Sequence, residues 1–161
     1  MPEHALLVPF RELAAAVEPW LERTVTAKPS HGIPPHVTLL YPCPGDVEGI
    51  GGVLVGREAF DVEFRRLERF PDVLWLAPEP AEPFAVLGEA LVGRYPGFPP
   101  YRGAVAEIIP HLTVAQAAFD EAAAAIEPLL PLRGRACGAA LLERVEPDRW
   151  REVATFRFGG P

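Results

Sequence analysis

Two five-residue stretches of this 161-residue chain carry its chemistry. Pro35-His36-Val37-Thr38-Leu39 recurs as Pro110-His111-Leu112-Thr113-Val114, so His36 and His111 stand 75 residues apart, close to half the chain. Each stretch reads Pro-His-apolar-Thr-apolar, and each reads as the opening of a strand. In a strand, residues i and i+2 share a face. Each motif therefore offers an imidazole and a hydroxyl side by side, and turns Val37 with Leu39, or Leu112 with Val114, toward a core. Histidine titrates near neutral pH, so two of them can hold opposite protonation states. One can then take a proton from a nucleophile while the other gives one to a leaving group. The threonine hydroxyls are short neutral donors suited to non-bridging phosphate oxygens. The set fits in-line displacement at a phosphodiester without a metal.

A lone His-x-Thr is an ordinary strand fragment. Two copies half a chain apart, using two of four histidines, are a constellation. A metal site is the competing use. Two histidines with no Asp, Glu or Cys at ligand spacing make an incomplete ligand set. His4 and His31 have no Ser or Thr two residues on and read as incidental.

The paired motifs resemble those of the two-histidine (2H) phosphoesterase superfamily, which includes 2′-5′ RNA ligase-like proteins and RNA 2′,3′-cyclic phosphodiesterases. The resemblance runs from the first strand to the closing hairpin. It implies an α+β fold of two pseudo-symmetric lobes, with largely antiparallel sheets forming a central cleft and one His-x-Thr motif from each lobe. The whole chain, 1–161, would be one such domain of two interleaved lobes. The resemblance also implies that His36, Thr38, His111 and Thr113 are catalytic, and that no metal and no cofactor is needed. The expected activity is hydrolysis of 2′,3′-cyclic phosphate ends of nucleotides or RNA. A 2′-5′ ligase or 2′-5′ phosphodiesterase would use the same four residues, and a non-catalytic nucleotide-binding module is the alternative from another class.

The elements that must position these motifs follow from hydrophobic period and punctuation. Residues 5–8 read as a buried strand. Residues 10–23 have a helical period, which Pro19 is expected to kink or cut short. Residues 24–35 read as a loop and 36–41 as the first motif strand. A short glycine-weakened helix is expected over 46–55, strands over 60–67 and 73–77, and a helix over 83–95. Residues 96–103 form a loop dense in Pro, Gly and aromatics, 111–116 the second motif strand, and 119–130 an Ala-rich helix capped by Asp120. Residues 133–146 and 150–158 read as a closing hairpin turning at Glu146-Pro147-Asp148.

Further site candidates are weaker. Trp75 lies in a strand. Tyr101 and Arg102 precede the second motif and are placed to set an aromatic on a nucleobase and a guanidinium on a phosphate. By strand parity Tyr41 belongs with Val37 and Leu39 in the core, and Gln116 faces away from Thr113.

Composition narrows the partners. Hydrophobic residues make up 49% and charged residues 23%, which fits a globular chain. The net charge is −7, and of the 15 basic residues only Lys28 is lysine. Such a chain is a poor non-specific binder of nucleic acid or anionic membrane. A nucleotide or a short RNA terminus is the expected substrate, with no membrane and no extended nucleic-acid surface. Local positive charge could gather from Arg57, Arg65, Arg66, Arg69 and Arg102. Cys43 and Cys137 match no metal or redox spacing and read as reduced thiols. No basic n-region precedes an apolar run at the N-terminus. A cytoplasmic monomer is the expectation.

Overall fold

The structure is a computed structural model. It describes residues 2–24, 33–104, 108–147 and 149–159. His31, most of the 24–35 loop and Asp148 of the closing turn lie outside the described residues.

Eight strands form one sheet. They are β1 (His4–Pro9), β2 (His36–Cys43), β3 (Phe60–Phe70), β4 (Val73–Glu79), β5 (Leu112–Ala115), β6 (Leu132–Ala136), β7 (Gly138–Glu146) and β8 (Arg149–Arg157). The order across the sheet is β6-β3-β4-β5-β2-β1-β7-β8, and every pairing is antiparallel. The fold is thus α+β. The two expected lobes are the two halves of this sheet, four strands each, and they meet where β2 lies against β5. Four helices accompany them: α1 (Ala14–Thr24), α2 (Val47–Leu54), α3 (Glu82–Arg94) and α4 (Phe119–Ile126).

One apolar cluster holds this together. Val37, Leu39, Leu112 and Val114 are 0–2% exposed and pack with Val17 of α1, Ile50 of α2, Leu87 of α3 and Ile126 of α4. Full burial of such a side chain is worth roughly 1.5–3 kcal/mol. The apolar residues inside each motif therefore press both motif strands onto the helices, and the His and Thr between them face the other way. A smaller cluster of Ala5, Leu7, Ala140, Leu142 and Trp150 lies on that opposite side, with Tyr41 packed against it.

Several local expectations change. The single strand expected over 133–146 is two strands. β6 pairs with β3 at one edge of the sheet, while β7 pairs with β1 and β8 toward the other edge, and Cys137 is the break. The closing hairpin begins only at Gly138. A Cβ there would come within 2.4 Å of the Phe156 carbonyl oxygen, so glycine lets β7 start against β8. Helix α1 continues through Pro19. Asp120 does not cap α4. The cap position is Ala118 in a left-handed conformation, and Asp120 instead takes a bond from Arg69 at 2.8 Å. The glycines that weaken 46–55 have a local reason at Gly49, whose N–H donates to the Asp46 cap at 3.1 Å. A Cβ at Gly49 would sit 2.1 Å from that carboxylate.

Candidate active site

The junction of the two sheet halves is also where the motifs meet. Val37 pairs with Leu112 across β2 and β5. In an antiparallel ladder, that register sets His36 across from Thr113 and Thr38 across from His111. Val37 and Leu112 point into the core, so all four polar side chains share the opposite face. Imidazole and hydroxyl therefore alternate across the β2–β5 junction. His36, Thr38 and Thr113 line a cleft of about 820 Å³ on that face.

Each imidazole is held the same way. His36 Nδ1 lies 2.8 Å from the Pro34 carbonyl oxygen, and His111 Nδ1 lies 2.8 Å from that of Ile109. A carbonyl can only accept, so Nδ1 carries the hydrogen in both rings. That leaves both Nε2 atoms as the reactive positions, an acceptor on a neutral ring and a donor on a charged one. The backbone two residues upstream fixes the tautomer, the job often done by a carboxylate.

The surroundings of the two rings differ. Burial pushes the His36 pKa below 6.5; the Pro34 carbonyl opposes this, and the charge of His111 adds to it. His111 instead stands edge-on to two aromatic rings, Phe70 at 5.3 Å and Trp75 at 5.9 Å, which stack on one another at 4.7 Å. The phenol of Tyr101 lines the same cleft as Thr38, and burial raises its pKa while the neighbouring Thr38 hydroxyl opposes the rise.

A profile of the 2′-5′ RNA ligase superfamily matches residues 9–148, most of the chain. The protein belongs to this superfamily. Its fold is shared with solved structures at low identity. A phosphoesterase superimposes with a TM-score of 0.67 at 13% identity, with 99% of each chain covered. Escherichia coli LigT complexed with 3′-AMP gives 0.64 at 14% identity, covering 99% of this chain and 100% of LigT. The Thermus thermophilus protein TT0787 gives 0.61 at 17%, with 99% of each chain covered. Comparison with curated protein sequences finds no match.

Two cleft residues of this superfamily member escape strand parity. Tyr41 lines the cleft rather than the core. The reason is a bulge: β1 pairs Leu7 with Thr38 but Leu6 with Leu40, so β2 spends an extra residue there and both Leu39 and Leu40 are buried. Tyr41 therefore flips to join Thr38, and a second shift before Cys43 returns that residue to the core. Gln116 also lines the cleft. Strand β5 ends at Ala115, so parity no longer governs it, and its N–H donates to Thr24 Oγ1 at 3.0 Å.

The weaker candidates sort by position. Trp75 pairs with Thr113 across β4 and β5 and touches His111, but it is only 7% exposed, and its indole N–H has no partner. It is a wall behind the second motif. Tyr101 lines the cleft and meets the ring of Tyr41 at 6.0 Å. Tyr101 and Arg102 both sit at positive φ, 50° and 56°, a conformation costing a side-chain-bearing residue roughly 1–3 kcal/mol. The clamp is Glu3, which pairs with Arg102 and accepts from the Tyr41 hydroxyl at 2.7 Å. Of the other arginines, Arg65 and Arg66 are matched by Glu63, Glu68 and Glu79, and Arg69 by Asp120. The Arg57 side chain bonds the Val53 carbonyl. None of these four lines the cleft.

Among the described residues, no group of three or more His, Cys, Asp or Glu is gathered that could hold a metal ion. No described helix is long and apolar enough to cross a membrane.

Proposed function

We propose that this protein is a phosphodiesterase that opens 2′,3′-cyclic phosphate ends of nucleotides or short RNA by histidine acid–base catalysis. The observation that carries the reading is the Val37–Leu112 pairing, which turns two imidazoles and two hydroxyls to one face of the sheet, His36, Thr38 and Thr113 of them lining the cleft. His36, held neutral by burial, takes the proton of a water attacking phosphorus. One P–O bond to the ribose breaks, and the departing 2′ or 3′ oxygen receives a proton from His111 Nε2. The product is a ribose monophosphate, with one histidine protonated and the other deprotonated. Thr38 and Thr113 donate to the non-bridging oxygens as charge gathers there. The two histidines supply both proton transfers, so the scheme routes no step through a metal. LigT, which shares this fold, forms complexes with 3′-AMP, ATP and phosphate, and this supports a nucleotide as the ligand.

The superfamily's description favours one companion reaction. With a ribose 5′-hydroxyl in place of water, the same proton transfers join two ends through a 2′-5′ linkage. Run backward, they cleave it.

The test is turnover of a nucleoside 2′,3′-cyclic phosphate, followed by phosphorus NMR, with and without chelator. Hydrolysis to a monophosphate at the same rate in both is expected. No turnover, or turnover lost in chelator and restored by zinc or magnesium, would overturn the proposal.

A further inference from the structure

One cluster of charge borders the cleft without a part in the proton transfers. Arg144 of β7 pairs across the ladder with Trp150 of β8, and its guanidinium lies 4.9 Å over that indole. Its backbone N–H donates to the Glu3 carbonyl oxygen at 2.8 Å. The Glu3 carboxylate meets Arg144 at 3.4 Å and also receives Arg102 and the hydroxyl of Tyr41. Arg102 in turn lies 5.8 Å over the Tyr41 ring. Arg144, Trp150, Tyr41 and Tyr101 line the same cleft as His36 and Thr38.

The charges do not balance here. Burial works against the Glu3 carboxylate, but the bonds from Tyr41 and Arg102 and the charge of Arg144 outweigh it and hold its pKa below the usual range. Glu3 is therefore ionised, and it offsets one of two guanidiniums. A positive charge is left over at this rim, in a chain whose net charge is −7. Glu3 is 19% exposed, whereas Arg102 and Arg144 are 65% and 41% exposed, so donors not used on Glu3 remain open: those of Arg144 in the cleft lining, and those of Arg102 at the rim outside it. The wall formed by α1 has the opposite sign: Glu18 and Glu22 line the cleft there. An anion extending from the motifs is repelled from α1 and drawn toward the arginines.

The spacing suits a particular anion. Leu7 pairs with both Thr38 and Ala140, which puts Ala140 in the motif row. Arg144 is four residues further along β7, about 13 Å at the rise of a strand. Strand β7 also lies two strands from β2, about 10 Å across the sheet, so the Arg144 guanidinium over Trp150 is set to meet a group beyond the one held at the histidines. The aromatic rings of Tyr41, Tyr101 and Trp150 lie between as a surface for ribose and base.

We propose that Arg102 and Arg144, pre-oriented by Glu3, form a subsite for a second phosphate of the substrate, the one on the 5′ side of the terminal ribose. The inference rests on the nucleotide reading of the cleft and sharpens it. The preferred substrate carries a 5′ phosphate group, as a phosphomonoester or as the internucleotide link of RNA.

Calorimetric binding of three product-like ligands tests this: adenosine 3′-monophosphate, adenosine 3′,5′-bisphosphate and the dinucleotide ApA 3′-phosphate. The second phosphate should tighten binding roughly tenfold or more. Arg144→Ala and Arg102→Ala should each remove most of that gain while leaving the monophosphate much less affected. Arg102 comes from an exposed loop, so its variant keeps the test open if Arg144→Ala does not fold. A gain for the dinucleotide assigns the site to RNA ends, and a gain for the bisphosphate alone assigns it to mononucleotides. Equal affinity for all three ligands, or a gain that survives in both variants, overturns the subsite but not the cleft. Failure of all three to bind overturns the nucleotide reading and the subsite with it.

Discussion

The two halves of the sheet present the same five-residue motif in the same register, and each sets its imidazole with a carbonyl two residues upstream. Around that shared geometry nothing else matches. The β2 motif sits beside Tyr41, Tyr101 and the Glu3-anchored arginines, in a setting that keeps His36 neutral. The β5 motif is backed by Phe70 and Trp75. Backbone symmetry brings two identical acid–base groups together. The unequal walls are what can make one a base and the other an acid, since a pair of histidines in equal surroundings would have no preferred direction of proton flow.

The strongest way to break this comparison is to remove either imidazole. His36→Ala and His111→Ala should each lower kcat by about a hundredfold to ten-thousandfold, the usual worth of a positioned acid or base. The double variant should lose much less than the product of the two losses, because the pair works as a unit. A folded single variant that turns over cyclic phosphate near the wild-type rate would end the scheme.

The hydroxyls come next. Thr38→Ala and Thr113→Ala should each slow turnover roughly tenfold to a hundredfold, since each is one donor among several. Thr→Ser keeps the donor and should be nearly silent at either site. Steady-state kinetics of the four variants would show whether the halves contribute equally. A Ser variant as slow as Ala would mean that packing, rather than the hydroxyl, is what the threonine supplies.

How much of this was legible beforehand follows from range. The motifs could be read because the pattern is repeated and local, and strand period alone turns His36 with Thr38 and His111 with Thr113 to one face. The helices and most strands were legible for the same reason. Three features were not. The break at Cys137 divides what reads as one continuous strand, and only pairing partners far away in the chain send β6 and β7 to different edges. The bulge that turns Tyr41 into the cleft depends on how β1 registers against β2. Glu3 lies two residues beyond Met1, and nothing local connects it with Arg102 and Arg144. Period describes an element, whereas register and charge pairing belong to the assembled sheet.

A finer contrast alters one aromatic side chain on each side. Tyr101→Phe removes only the phenol hydroxyl that shares the cleft with Thr38, and it should cost roughly twofold to tenfold in kcat, the worth of one hydrogen bond. Trp75→Phe shrinks the wall beside His111 and should also lower kcat a few-fold without raising KM, because Trp75 is 7% exposed and is not part of the cleft lining. A rise in KM for Trp75→Phe with kcat unchanged would instead make the indole a direct substrate contact.

The smallest effect is the most diagnostic of the asymmetry. Burial holds the His36 pKa below 6.5, and the nearby charge of His111 lowers it further. As the base, His36 must be neutral, so the acid limb of the rate profile should fall below pH 6.5. Proton NMR of the ring should show the same midpoint, and His111→Gln should move it upward, though only partly, since burial remains. The sign for stability follows from the same shift. Between the folded pKa and 6.5 the unfolded chain binds more protons than the folded one, so stability rises with pH across that window. His36 therefore contributes its full share above 6.5 and loses it as pH falls through the folded value. Replacing it with Gln should flatten the acid side of a melting-temperature profile without changing the profile above neutrality. A His36 resonance that titrates above 6.5 would place the charge on the β2 side and exchange the roles of the two histidines.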